Sequence, residues 1–267
     1  MRRTPAREFV VTPTAVRTFE KTRLVRDTGS VALFTGPAGV GKTTIIQSFL
    51  REDRDARYVV FSSASRNLSS VLKDVANALN IRLDGRSTYD INREIEHWLN
   101  WGRSGNNSVF DISPGNIYKG AYILFDEIQN IDLNAIRQLL HFNDQYGLPI
   151  IMFGNEDRIK HTKASKAAYD QIEDRIRVRD RIDRTREDIA AVCDVWGIED
   201  ANARGWVIAY ALTTTWRQSF TLLRTAVELA DAGSIGVSQL QDALGFKEGR
   251  KAASDFLRKF TDQRQIA

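Results

Sequence analysis

Cysteine is nearly absent from the chain, whose 267 residues include only Cys193. A single cysteine excludes an intramolecular disulfide and a cysteine-based metal cluster, and we interpret Cys193 as a small buried residue. No apolar run approaches the roughly eighteen residues that a membrane-spanning helix needs. Nor does Met1-Arg2-Arg3 lead into the apolar segment of a signal peptide. We therefore expect a cytoplasmic protein that has no membrane partner.

The remaining composition is typical of a globular protein, with 42% hydrophobic and 27% charged residues. A chain of this length predicts one large domain, or one domain with a smaller appendage. The formal net charge of +4 at pH 7 permits an acidic partner such as DNA. A charge of this size does not by itself indicate such a partner.

The most informative segment has the pattern G-x-x-x-x-G-K-[ST] and lies between a strand-like run, Val31–Phe34, and a helix-like run, Thr44–Leu50. Its glycines let backbone N–H groups turn towards phosphates, Lys42 can reach the terminal phosphates, and the Thr43 hydroxyl can hold Mg²⁺. The alternative is an ordinary glycine-rich turn before a helix, but the flanking strand and helix favour a phosphate loop. The predicted nucleotide-binding residues are Gly36, Pro37, Ala38, Gly39, Val40, Gly41, Lys42, Thr43 and Thr44.

Apolar runs alternate with helix-like stretches in the first part of the chain, which predicts an α/β fold with a parallel five-stranded sheet between helices. The predicted strands are Val31–Phe34, Tyr58–Phe61, Ala121–Phe125, Ile150–Phe153 and Ile176–Val178. The predicted helices are Thr43–Leu50, Leu68–Leu79, Ile91–Trp101 and Leu133–Tyr146. Gly102–Gly120, rich in Gly, Asn and Ser, is predicted to be the longest loop.

Beyond about Arg184 only helix-type spacing remains. The predicted helices there are Ile189–Val195, Ala203–Ala211, Phe220–Leu229 and Val237–Leu244. We therefore predict an α/β core with a short N-terminal extension over residues 1–184 and a small all-helical domain over residues 185–267.

Polar residues follow two of the predicted strands, at the sheet edge where open parallel sheets bind ligands. Asp126 and Glu127 come after one strand, so that Asp126 can hold a Mg²⁺ ion and Glu127 can deprotonate an attacking water. Asn155 comes after the next strand, and its neutral amide can hydrogen-bond both the water and a phosphate oxygen. A solvated acidic cap and a turn asparagine are the alternatives, and the upstream phosphate loop favours the functional interpretation of the acidic pair.

The order of these motifs resembles that of the AAA+ ATPases. Walker A corresponds to Gly36–Thr43, Walker B to Ile123–Glu127 and sensor 1 to Asn155, and a helical lid follows. This resemblance covers nearly the whole chain. It implies an AAA+ P-loop NTPase core that binds and hydrolyses ATP with Mg²⁺.

Within that superfamily, the segments Asp126–Asn130, Phe153–Arg158 and Gln171–Arg177 resemble the transposition ATPases MuB and TnsC. What this resemblance implies is an ATPase that forms a helical filament of its own copies on duplex DNA without sequence preference. Such a protein selects target DNA, and it recruits and stimulates a transposase. A helicase, clamp loader or replication initiator of the AAA+ type is one alternative, and a signalling NTPase that binds no nucleic acid is another.

The resemblance also implies roles for arginines. The arginine that such ATPases donate to a neighbour's ATP falls between sensor 1 and the last core strand, which implies Arg175, with Arg177 as the next choice. Arg217 lies where the sensor 2 helix begins and would contact phosphate in its own subunit, although the usual glycine of that motif is absent and Arg224 is an alternative. The other interpretation is that arginines spaced by two form the exposed face of an edge strand, paired with nearby aspartates. These arginines are Arg175, Arg177, Arg179 and Arg181, and the aspartates are Asp174, Asp180 and Asp183.

Two basic groups are candidates for contact with DNA. Lys160, Lys163 and Lys166 are spaced by three beyond sensor 1, and Arg103 and Lys119 lie before Walker B. Contacts from either group should be to phosphates, with little sequence preference and a steep loss of affinity as salt rises. A solvated charged surface is the alternative for both.

Overall fold

The structure, a computed structural model, describes residues 9–83, 85–104, 110–111, 119–155, 166–230, 234–249, 251 and 255–256. The chain divides into two compact units. The first, which we call the α/β unit, comprises Arg17–Pro37 and Lys42–Ile182. The second, the helical unit, comprises Met1–Val16, Ala38–Gly41 and Asp183–Ala267. Among the described residues, no helix is long and apolar enough to cross a membrane.

The α/β unit is built on a parallel sheet. Its strands are β1 (Val31–Thr35), β2 (Ala56–Val60), β5 (Tyr122–Asp126), β6 (Ile150–Gly154) and β7 (Val178–Arg181). They are arranged in the order β2-β5-β6-β1-β7, and every pair is parallel. The predicted parallel five-stranded sheet is therefore confirmed.

The three central strands are buried at every position. A parallel strand covered on both faces is a continuous apolar run rather than an alternating one, and this is why the sequence located β1, β5 and β6 to within a residue or two. The two edge strands differ more from the prediction, because β2 lies two residues earlier than expected and β7 begins at Val178 rather than Ile176. In the part of the chain that the structure describes, each edge strand is paired on one side only. Such a strand tolerates polar residues, which weaken the apolar pattern that marks its ends in the sequence.

Helices and a small second sheet complete this part of the chain. The helices are α1 (Pro13–Asp27), α2 (Lys42–Glu52), α3 (Leu68–Ala78), α4 (Thr88–Ser104), α5 (Leu133–Tyr146) and α6 (Lys166–Glu173). The small sheet pairs β3 (Phe110–Asp111) antiparallel with β4 (Lys119–Gly120). The prediction of one loop over Gly102–Gly120 is thus wrong in part, because α4 continues to Ser104 and two short strands follow.

Helix α1 is absent from the sequence-based prediction. Its buried positions include Ala15, Thr18, Phe19, Thr22 and Val25, which recur at helical spacing. Threonines occupy part of this buried face, so a search for apolar periodicity does not detect it.

The helical unit contains α7 (Arg186–Val195), α8 (Ala201–Thr213), α9 (Trp216–Leu229) and α10 (Val237–Glu248). These helices surround an apolar core in which Trp206 is fully buried and contacts the rings of Tyr210 and Phe256. No strand is present among the residues of this unit that the structure describes. At its N-terminal end, the backbone N–H and hydroxyl of Thr14 both donate to the buried carboxylate of Asp188, at 2.9 and 2.7 Å.

Candidate nucleotide-binding site

The loop between β1 and α2 holds its lysine in an inward position. Lys42 is buried, and its Nζ donates to the backbone oxygens of Gly36, at 2.7 Å, and Pro37, at 3.0 Å. Burial lowers the pKa of Lys42, and this effect outweighs the opposing influence of the Glu127 and Asp126 charges. The ammonium group therefore lies beside the loop, where it can exchange carbonyl oxygens for the phosphate oxygens of a nucleotide.

Two glycines of the loop have a left-handed backbone. Gly39 has φ +76° and Gly41 has φ +99°, a region that side-chain-bearing residues rarely adopt. A Cβ atom on Gly39 would also lie 3.0 Å from Thr215 Cγ2 in the helical unit, to which both residues belong. In the same unit, the N–H of Trp216 donates to the Gly39 oxygen at 3.4 Å. A side chain at position 39 would therefore be strained by the backbone conformation and crowded by Thr215.

The carboxylate of Asp126, at the end of β5, joins the loop to the sheet edge. Its Oδ2 accepts from the Thr43 hydroxyl at 2.7 Å and from the Tyr58 hydroxyl at 3.2 Å, and its Oδ1 accepts from the Glu127 N–H at 2.9 Å. Asp126 is only 1% exposed, so these donors compensate for the loss of water around a buried carboxylate. Burial, and then the charge of Asp126, raise the pKa of Tyr58, which keeps the phenol a hydrogen-bond donor.

Thr43 and Asp126 are suited to a magnesium ion. No group of three or more His, Cys, Asp or Glu side chains with metal-binding geometry occurs in the described part of the chain. Mg²⁺ in phosphate-transfer sites keeps several waters and uses one or two protein oxygens together with phosphate oxygens. The contact between the Thr43 hydroxyl and the Asp126 carboxylate fits that requirement.

Glu127 follows directly and has an unusual backbone conformation, with φ 59° and ψ 37°. Non-glycine residues with positive φ are uncommon, and they cluster at functional sites. After Glu127 the chain forms a 3-10 turn, Ile128–Asn130, in which the Asn130 amide donates to the Phe61 oxygen at 2.7 Å. The turn is thereby fixed to the end of β2.

The side chain of Gln129 connects Asn155 with the Glu127 carboxylate. The Asn155 backbone N–H donates to Gln129 Oε1 at 2.9 Å, and Gln129 Nε2 donates to Glu127 Oε2. Five predicted residues therefore meet at one edge of the sheet: Lys42, Thr43, Asp126, Glu127 and Asn155.

Sequence reasoning missed Tyr58 and Gln129. Tyr58 was assigned only to a strand, and no local pattern indicates that its hydroxyl reaches Asp126, 68 positions away in the chain. Gln129 lies within a segment used for the family resemblance, but its spacing gave no sign of a contact with Asn155.

The structure does not bring Arg175 or Arg177 to this site. The Arg177 N–H donates to the Val31 oxygen at 3.0 Å, and Val31 begins β1, whereas the phosphate loop follows its end. Five residues of strand span about 13–17 Å. The Arg175 side chain donates to Asp144 Oδ2 at 2.8 Å, while no hydrogen bond or ion pair of the exposed Arg177 side chain is found among the described residues.

Two arginines of this row pair with acidic residues other than the aspartates expected beside it. Arg175 pairs with Asp144 and Arg179 with Glu173. Asp180 lies within the row but pairs with Arg17 and Lys21 of α1, at 3.1 and 2.8 Å.

Arg217 is the second residue of α9 and is exposed. The helix begins with a capping box in which Thr215 and Gln218 satisfy each other's backbone N–H groups. The turn before it is held by Arg184, whose guanidinium donates to the oxygens of Ala211, at 2.7 Å, and Thr214. The phosphate contact of Arg217 stays a prediction.

The predicted DNA contacts lie largely outside what the structure describes. Lys160 and Lys163 are outside the described residues. Lys166, Arg103 and Lys119 lie in α6, α4 and β4, but their side chains are outside the described part.

Comparisons with known proteins place these features in a wider group. The sequence profile described as "AAA domain" matches residues 25–161, just over half of the chain. Over 204 residues the chain is 24% identical to the Mu-like prophage FluMu DNA transposition protein B of Haemophilus influenzae. That alignment covers 73% of this chain, and the chain spans only 65% of the length of this relative. The predicted resemblance to the transposition ATPases is confirmed by this match.

Solved structures agree with the fold. Cdc6p from Pyrobaculum aerophilum has a TM-score of 0.60 at 14% identity, covering 90% of this chain and 68% of that protein. The ORC2 protein of Aeropyrum pernix, in ADPNP-ADP complexes, has a TM-score of 0.57 at 13% identity, covering 91% of this chain and 71% of that protein. At such identities the likeness concerns the fold alone.

Proposed function

Because the chain belongs to the AAA domain family, we propose that it is an ATPase that assembles on duplex DNA in an ATP-dependent manner and selects target DNA for a transposase. The observation that carries this proposal is the contact between the Thr43 hydroxyl and the Asp126 carboxylate, beside Lys42. It joins the phosphate loop to the acidic end of β5. A triphosphate bound at the loop would thus lie beside the residues of its own subunit that the proposed hydrolysis uses.

In the proposed reaction, the loop N–H groups and Lys42 bind the phosphates. Glu127 accepts a proton from a water molecule, whose oxygen attacks the γ-phosphorus as the bond to ADP breaks. Asn155 orients the water or a γ-phosphate oxygen. Mg²⁺ held by Thr43 and Asp126 would neutralise the charge that develops on the phosphate oxygens.

The role in transposition is supported by the similarity to a DNA transposition protein B. The positive net charge suits a phosphate backbone as the partner. We propose that ATP stabilises contacts between copies and so favours a filament on DNA, and that hydrolysis releases them. The transposase partner, the filament and the DNA contacts of Lys160, Lys163, Lys166, Arg103 and Lys119 belong to this proposal.

Two variants test the proposal by separating nucleotide binding from hydrolysis. Lys42→Ala should weaken ATP binding and abolish assembly, whereas Glu127→Gln should bind ATP, hydrolyse it at least about a hundredfold more slowly and accumulate on DNA. Retention on nonspecific duplex DNA is measured by sedimentation with ATP, ADP or no nucleotide, at low and high salt.

Failure has two distinguishable forms. If Glu127→Gln assembles no better than Lys42→Ala, the proposed division of roles is wrong. If the wild-type protein binds ATP but is not retained on DNA even at low salt, the chain is an NTPase switch that does not act on nucleic acid.

A further inference from the structure

The side-chain amide of Gln129 connects two groups of the proposed hydrolysis site. Its Oε1 accepts from the Asn155 N–H at 2.9 Å, and its Nε2 donates to Glu127 Oε2. Gln129 is half-buried in the turn after β5, and Asn155 follows β6, 26 positions later. One side chain therefore links the ends of two adjacent strands.

The chemistry of its neighbours fixes the orientation of this amide. A backbone N–H can only donate, so it faces the amide oxygen, and the amide NH₂ group is left for the Glu127 carboxylate. The reverse orientation would place oxygen against oxygen. A carboxylate at position 129 would repel Glu127, and a lysine or arginine could not accept from Asn155.

We propose that Gln129 is a positioning residue for ATP hydrolysis, which keeps the Glu127 carboxylate aligned with the end of β6. This inference rests on the proposed ATPase activity. The left-handed backbone of Glu127 places that residue outside both the strand and the turn, so its carboxylate depends on side-chain contacts for its direction. If a bound γ-phosphate displaced Asn155, the Gln129 side chain would move with it and would change the position of the Glu127 carboxylate.

Two substitutions test this role. Gln129→Ala removes both contacts, while Gln129→Glu keeps the volume and the acceptor for the Asn155 N–H but places a carboxylate against Glu127. In steady-state assays with duplex DNA and Mg·ATP, each should lower kcat about 10- to 100-fold, because small misplacements of a reacting group have effects of that size. KM for ATP should stay within about threefold, since the phosphate loop is unchanged.

A matched control is available in the same turn. Asn130→Ala removes the side-chain amide that holds the turn to the Phe61 oxygen, and it keeps the backbone N–H that donates to the Glu127 oxygen at 2.9 Å. It should lower the midpoint of thermal unfolding but leave kcat within about threefold. In a Glu127→Gln background, Gln129→Glu should reduce the residual rate no further, because Gln129 acts through Glu127.

The outcomes separate this inference from the proposed function. Unchanged kcat in Gln129→Glu overturns the inference, and so does a loss in Asn130→Ala equal to that in Gln129→Ala. Either of these two outcomes leaves the ATPase proposal intact, provided that the wild type is active and Glu127→Gln is inactive. A wild-type protein without ATPase activity overturns both.

Discussion

At the residue scale, Tyr58 is a group outside the motifs that hydrogen-bonds a carboxylate of the proposed magnesium site. Its hydroxyl shares Asp126 Oδ2 with the Thr43 hydroxyl. Groups that hydrogen-bond a metal-ligating carboxylate fix its orientation, and their loss typically reduces metal affinity about 10- to 100-fold. Tyr58 should therefore influence Mg²⁺ binding without itself contacting the ion.

We predict that Tyr58→Phe raises the Mg²⁺ concentration for half-maximal ATPase activity about tenfold. At saturating Mg²⁺ the rate should return to near the wild-type value, because the phosphate loop and Glu127 are retained. A magnesium titration of the ATPase rate measures this. Tyr89→Phe is the matched control, since Tyr89 is 67% exposed on α4; equal magnesium requirements in both variants would contradict the role of Tyr58.

The motif residues could be predicted at this scale because a phosphate loop is local, with its spacing set by the turn that eight consecutive residues make. Asp126 and Glu127 could be predicted because they end a buried apolar run. Tyr58 and Gln129 could not, since their contacts depend on which strands become neighbours and on the direction of single side chains.

At the element scale, α1 is attached to the edge strand β7 through the partly buried carboxylate of Asp180. Asp180 accepts from Lys21 at 2.8 Å and from Arg17 at 3.1 Å. Burial disfavours the charged form of Asp180, but the hydrogen bond from Lys21 and the charges of Arg17 and Lys21 outweigh it, so the pKa lies below its usual value. The ion pairs therefore stabilise the fold whenever Asp180 is ionised.

Asp180→Asn should lower the free energy of unfolding by about 1 kcal/mol at pH 7, which corresponds to a fall of roughly 2–4 °C in Tm. Because the folded pKa is below the unfolded value of about 3.9, this stabilisation is fully present above that value and is lost as the pH falls through the folded pKa. Thermal unfolding at pH 7 and at lower pH measures it.

The control for this prediction is Glu52→Gln, which breaks an ion pair with Arg23 in which both side chains are about half exposed. That substitution should change Tm by less than about 1 °C. A difference between wild type and Asp180→Asn that persists unchanged below pH 3 would show that the ion pairs are not its cause.

Elements were predictable where burial left a regular pattern. Helix α5 begins after the cap Asp132 and ends at Tyr146, before the left-handed Gly147. These bounds are the ones that the sequence predicted. Helix α1 escaped detection because threonines share its buried face. The predicted bounds of the edge strands differ from the observed ones because polar residues are tolerated at the ends of a strand that is paired on one side.

At the scale of the whole molecule, the positions of Arg175 and Arg177 bear on assembly. Both lie near the beginning of β1, about 13–17 Å of strand away from the phosphate loop. Neither is therefore placed to act in its own site, which supports the proposal that a neighbouring copy uses one of them. Both side chains are exposed. Asp144 already engages Arg175, whereas no ion pair of Arg177 is found in the described part of the chain, which favours Arg177.

Mixing two inactive variants tests this proposal. Arg177→Ala copies bind ATP but lack the donated arginine, and Lys42→Ala copies supply the arginine but not the nucleotide. Each alone should lose about 10³-fold or more in ATPase rate. An equal mixture should recover activity, because ATP bound by an Arg177→Ala copy can still hold a Lys42→Ala neighbour that supplies the arginine.

The same mixture made with Arg175→Ala distinguishes the two arginines. If Arg177 is the donated group, Arg175→Ala copies should stay active on their own. A mixture of Arg177→Ala and Lys42→Ala no more active than its separate components would refute donation in trans by Arg177.

The length of β1 has a consequence for timing. If one copy supplies the arginine and the next supplies the phosphate loop, any open chain of copies has a terminal nucleotide that no neighbour touches. That terminal triphosphate would be hydrolysed more slowly than all the others. One end would therefore keep ATP while the interior copies hold ADP. Copies would then be added and lost at different rates at the two ends. The assembly would have a direction because the arginines and the phosphate loop lie at opposite ends of β1.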